Sequence, residues 1–157
     1  MCAPEQTSRS GTRDSATAAD GCEVAGGQVR PDAGELAARM GIVIEDLTAQ
    51  HAVARMPVEG NTQITGRVHG GAYAVLAETV ASMAAGAGAP PDRVALGVEL
   101  SASHVGGTDT GYVHARCRAV SLGRRICVHE VTVTDDAGRL LSTVRVTNYL
   151  ASRRGRA

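Results

Sequence analysis

The chain of 157 residues has no tryptophan, no phenylalanine and only three tyrosines. Platforms that stack nucleic-acid bases are built from aromatic faces, so that class of function has no support. The core must instead come from Val, Leu, Ile, Ala and Met. Net charge is missing too, because sixteen basic side chains balance sixteen acidic ones. No polyanion-binding footprint follows, and no nucleic-acid partner is expected. Cysteine is scarce and unpatterned: Cys2 and Cys22 lie in a polar stretch, Cys117 and Cys127 in strand-like runs. That spacing makes neither a disulfide framework nor, with His114 and His129 nearby, a usual zinc pattern, so no metal is expected. No apolar run is long and charge-free enough for a signal peptide or a membrane span. A cytoplasmic chain without a membrane partner is the expectation.

What is present divides simply. Residues 1–30 are rich in Ser, Thr, Gly, Asp and Ala without apolar periodicity, and are expected to form a disordered tail. Residues 31–151 are expected to form one domain, and 152–157 a frayed basic tail. Within the domain, 31–41 read as a short helix with Asp32 as N-cap, Gly41 just past its end, and Leu36 and Met40 docking it. Residues 42–47 and 51–58 read as a hairpin. A loop, 59–66, precedes a helix that Gly86 to Pro91 must stop. Four β-rich runs follow, 94–105, 112–122, 126–134 and 140–150, with short turn-like links that suit antiparallel neighbours. The fold class is α+β, an antiparallel sheet curled around one long central helix.

That helix, residues 71–85, is Ala, Val, Leu and Met on nearly every side, as a buried helix is. One carboxylate interrupts it, Glu78, with Ser82 four residues on and so on the same face. A charge in such a segment is costly unless paired or used. At the helix entrance His69-Gly70-Gly71 offers backbone N–H groups at the positive end of the helix dipole, suited to an oxyanion or polarised carbonyl. Glu78 lies roughly 12 Å further along the axis. One carbonyl cannot meet Gly70 and Glu78 of the same helix. If both act on it, the glutamate must come from a second copy, in a site shared between subunits.

Gln63, then His69-Gly70-Gly71, then Leu76-Ala77-Glu78, then Ser82, is a pattern that resembles the hotdog-fold acyl-CoA thioesterases. Within them it is most similar to the phenylacetate-pathway branch, which includes the Arthrobacter-type 4-hydroxybenzoyl-CoA thioesterase. The likeness runs from about Pro31 to Leu150 and includes the Gly123-Arg124-Arg125 turn with Glu130 following.

The resemblance implies hydrolysis of an acyl-CoA to free acid and CoA, with CoA as part of the substrate and no cofactor. It implies that the Gly70 N–H polarises the thioester carbonyl while Glu78 of the partner acts as nucleophile or activates water. Gln63 and His69 would position the thioester, and Ser82 would support the glutamate or its water. Gly71 would keep the entrance open, Arg124 and Arg125 would meet the CoA phosphates, and His104 would line the lip. A homodimer or a dimer-of-dimers tetramer is implied. Two other readings remain open at this point: a hotdog hydratase acting on an enoyl thioester, and a non-catalytic acyl-CoA-binding module.

Overall fold

The computed structural model describes residues 31–153, together with the backbone of Cys22–Ala25 (β1) and Gln28–Pro31 (β2). β1 and β2 pair antiparallel. In the sequence Gly26-Gly27 separates them, a dipeptide favoured in two-residue hairpin loops. Here backbone pairing replaces part of the expected disordered tail; residues 1–21 lie outside the described residues, as do 154–157 of the basic tail.

The remaining elements are α1 (Glu35–Arg39), β3 (Val43–Leu47), β4 (His51–Pro57), α2 (Gly70–Ala87), β5 (Arg93–His104), β6 (Tyr112–Leu122), β7 (Ile126–Asp135) and β8 (Leu140–Ser152). One six-stranded antiparallel sheet holds β3 to β8 in the order β3-β4-β6-β7-β8-β5. It curls around α2, which lies against five of those strands and touches β3 more lightly.

Two periodicities explain the seating. Along β8, Ser142, Val144, Val146, Asn148 and Leu150 are buried while Thr143, Arg145 and Tyr149 face out, the alternation of a half-buried strand. On β4 and β6 the inward positions include Ala52, Ala54 and Ala115, small enough to let the helix come close. On α2 the buried residues are Ala72, Tyr73, Leu76, Ala77, Val80, Ala81, Ala84 and Ala85, two adjoining stripes at helical spacing. Leu76 and Val80 are wholly buried, each worth about 1.5–3 kcal/mol of apolar transfer.

Burial of α2 on every side is not what this chain shows. Gly71 and Glu78 are exposed and Ala74 and Val75 only half-buried, because a single curled sheet leaves one face of the helix open. The helix also begins at Gly70 and runs to Ala87, so Gly86 lies within it and Gly88 caps it, later than expected.

Two further differences have local causes. α1 is shorter than residues 31–41 because Asp32 makes a turn instead of a cap: its Oδ1 accepts from Gly34 N at 2.7 Å, and Gly34 holds the N-cap position at φ 89°. Ala37 and Met40 carry its apolar face, while Leu36 stays exposed. The link 105–111 does not join neighbours. β5 pairs with β8 at the sheet's edge, and the chain crosses to β6 in the interior of the sheet. At the other end, β8 extends through Ser152, and Arg153 N donates to Asp92 O at 2.7 Å.

Candidate active site

The start of α2 is built by His69. It occupies the N-cap with extended backbone, and its ring Nδ1 accepts from Gly71 N at 2.8 Å. Its carbonyl takes the N–H groups of Ala72 and Tyr73 at 2.8 and 3.4 Å. Gly71's N–H is thus spent on the cap, and a β-carbon on Gly71 would crowd the His69 ring at 3.0 Å. Gly70 N–H finds no acceptor among the described residues and stands free at the positive helix end.

Gly70 is a glycine for a reason of space. A β-carbon there would meet the ring of His104 at 2.9 Å. His104 reaches it from the end of β5, held by a 2.9 Å hydrogen bond between its Nδ1 and Ser142 Oγ on β8. Tyr73 packs behind, its ring 5.5 Å from that of His104. Burial raises the Tyr73 pKa; the nearby Thr108 backbone pulls the other way without completing a hydrogen bond of normal geometry.

Two turns along, Glu78 leans on β5. Its Oε1 lies 2.5 Å from where a β-carbon on Gly97 would sit, and the β5–β8 register shifts between Gly97 and Glu99. Ser82, expected to support Glu78, donates its hydroxyl to Asn148 Oδ1 at 2.8 Å. Asn148 is fully buried opposite Gly97 in the register, and its Nδ2 has no partner.

The other expected residues lie farther out. Gln63 is exposed in a loop closed by the Thr62–Val68 bridge, with its backbone bonded to Arg67 and Gly66. Asn61, a residue of that loop with no signal in the sequence, pins it by donating to Met40 O and Pro57 O, both at 2.9 Å. Arg124 and Arg125 are exposed in the β6–β7 turn, where Arg125 O accepts from Leu150 N at 2.8 Å. Within one chain, this puts the arginines at the Glu78 end. The Ser142–His104–Gly70 group sits toward the opposite end of β8, about 20 Å from Asn148 at ordinary strand rise. Gly97, Ser142 and Asn148 were missed, yet a signal existed: Ser142 and Asn148 are polar residues at inward-facing places of an alternating strand.

His114 and His129 each have another partner. His114 bonds Asp136 at 2.7 Å on the surface, and His129 is buried against Ala49 O at 3.0 Å. Among the described residues no three His, Cys, Asp or Glu side chains gather as metal ligands. No helix among them is long and apolar enough to cross a membrane.

The Thioesterase superfamily model matches residues 65–142, from just before the helix cap to Ser142. The proofreading thioesterase EntH of Klebsiella pneumoniae is 38% identical over 112 residues, 71% of this chain and 82% of that one. The 1,4-dihydroxy-2-naphthoyl-CoA hydrolase of Listeria monocytogenes is 34% identical over 116 residues, 73% of this chain and 94% of that one. The chain belongs to the thioesterase superfamily. A solved thioesterase of Pseudomonas aeruginosa superposes with TM-score 0.72 at 31% identity, covering 75% of this chain and 86% of that one. This member of the superfamily has the hotdog fold and is a thioester hydrolase.

Proposed function

We propose that the substrate is an acyl-CoA and that the reaction centre is made by two copies of the chain. The observation that carries this reading is the open face of α2, with Gly70 N–H unpartnered at one end and Glu78 roughly 12 Å away on Gly97. β5 supplies the means of bringing them together. It is an edge strand of twelve residues with Val94, Leu96 and Val98 exposed, the kind of edge that pairs with another strand. Antiparallel pairing of two β5 strands about a two-fold near Leu100 and Ser101 would set Gly97 of one copy across from His104 of the other. Glu78 would then face the partner's Gly70 end.

In that arrangement the Gly70 N–H and helix dipole polarise the thioester carbonyl, lowering the cost of charge on its oxygen. Glu78 either attacks the carbonyl carbon or takes a proton from the water that does. Either way the C–S bond breaks and CoA leaves as thiolate and is protonated. With water as the attacking group the acyl group departs directly as the acid; with Glu78 as nucleophile it stays on the carboxylate as a mixed anhydride, which a water then hydrolyses to the acid and free Glu78. His69 and Gln63 border the entrance, and Arg124 and Arg125 meet the CoA phosphates from the Glu78 side. The chemistry requires no metal or redox cofactor. A relative named as a CoA-thioester hydrolase supports the choice of carrier.

The test is release of free thiol from a panel of acyl-CoAs, followed with a thiol reagent. Turnover by the wild type and its loss in Glu78→Gln are expected. Full activity in that variant would remove Glu78 from the chemistry.

A further inference from the structure

We infer that Ser142 is a positioning residue that locks His104 in a single tautomer, with Nδ1 protonated and Nε2 bare beside Gly70. This rests on the proposed function only for the purpose the tautomer serves.

A count of protons fixes the tautomer. Ser142 is fully buried on β8, directly opposite His104 in the β5–β8 register. Its Oγ makes two contacts, at 2.9 Å to His104 Nδ1 and at 3.2 Å to the carbonyl of Ser103. A carbonyl oxygen can only accept, so the single hydroxyl proton goes to Ser103 O. The Oγ is left to accept from the ring, and Nδ1 must carry the hydrogen. In the neutral imidazole Nε2 is then an unprotonated acceptor. The Cδ2–Nε2 edge is the one turned to Gly70, with Nε2 3.0 Å and Cδ2 2.9 Å from the position of a β-carbon there. No described residue donates to Nε2.

His69, which precedes Gly70 in the chain, is held the opposite way. Its Nδ1 accepts from Gly71 N, so its neutral ring carries the proton on Nε2. The end of α2 therefore presents donors, the Gly70 N–H and the His69 ring, and one acceptor, His104. The acceptor suits an N–H or O–H group of the bound thioester, either an amide of the pantetheine arm or a hydroxyl on the acyl group. Being a ground-state contact, it would act mainly on binding.

The test has one arm that needs no turnover. Nitrogen-15 spectra of the ligand-free wild type should show His104 with a protonated Nδ1 and an unprotonated Nε2, and Ser142→Ala should shift the ring to a mixture of tautomers. In kinetics, Ser142→Ala should raise KM about three- to tenfold, as loss of one oriented hydrogen bond does, and leave kcat within about twofold. In a His104→Phe background the same change should add nothing, since Ser142 acts through His104. A penalty confined to hydroxylated acyl groups identifies the acyl hydroxyl as the donor, and an equal penalty on hydroxylated and plain acyl-CoAs identifies the arm. A wild-type ring protonated at Nε2 would overturn the inference, as would an unchanged KM or additive losses with His104→Phe. Should Ser142→Ala not fold, the wild-type spectrum still decides. Failure of Glu78→Gln to lose activity would strike the proposed function and leave the spectrum standing.

Discussion

Glu78 and Gly97 share one small volume, with the carboxylate Oε1 2.5 Å from the point where a β-carbon on Gly97 would lie. The helix thus depends on a side-chain-free position in β5 to hold its carboxylate down against the sheet. Gly97→Ala should displace that carboxylate and cost at least about tenfold in kcat, since reacting groups tolerate little misplacement. The obstructing atom is the far end of a flexible, exposed side chain, so Tm should move by no more than about 2 °C. Steady-state kinetics beside a thermal melt check both halves. Unchanged kcat would mean that Glu78 does not need this seat.

The shared site can be tested by mixing two dead proteins. Glu78→Gln removes the nucleophile or base from one half. Gly70→Pro removes the N–H from the other and places ring atoms against His104, while proline at the first helical position leaves the helix itself intact. Each variant alone should be inactive. Co-expressed, they should recover up to about a quarter of wild-type activity, because half of randomly formed dimers carry one intact site out of two. Verified mixed dimers without activity would place both groups of the reaction in one chain or exclude one of them.

Arg125→Ala should raise KM for acyl-CoA more than it lowers kcat, and should matter little for a short pantetheine thioester that lacks the nucleotide phosphates. The exposed turn can lose the side chain without loss of packing, because its fixed contact is the Arg125 carbonyl to Leu150 N. Equal losses with both substrates would make the arginine structural.

Acid should act through Asp136. Its hydrogen bond with His114, first, and with Tyr112 N, second, lowers its pKa from the usual 3.8. A carboxyl held low in the folded chain contributes its stability above the unfolded value and loses it as pH falls through the folded one. The Tm of the wild type should therefore drop on acidification below about pH 4. In Asp136→Asn part of that slope should disappear, with a lower Tm at neutral pH. Parallel Tm–pH curves for the two proteins would remove Asp136 from the acid response.

Much of this was open to reading before any coordinates. Strand alternation and the Ala-rich run of α2 report local periodicity, and the ends of most elements fell within a residue or two. Glu78 stood out because a charge amid Ala and Leu is chemically conspicuous. The strand order was not legible, because short links suggest neighbours and nothing in residues 105–111 says that the chain crosses the sheet. Nor was Ser82's bond to Asn148, since the two lie far apart in sequence and only the curl of the sheet brings them together. Leu36 failed for a simpler reason: Asp32 spent its side chain on a turn, and the shortened helix presented Ala37 instead.

The placement of β5 also sets an order of events. The hairpins β6–β7 and β7–β8 join consecutive strands and can form as soon as each pair exists, with little loop entropy to overcome. β5 is synthesised before all three, yet the strand it pairs with is β8, the last strand among the described residues. Until Leu140–Ser152 leaves the ribosome, Gly97 and His104 have no ladder to fix them against α2. The residues around the proposed reaction centre thus come together only once β8 has been made, and a chain truncated before β8 should have most of its sheet and no site.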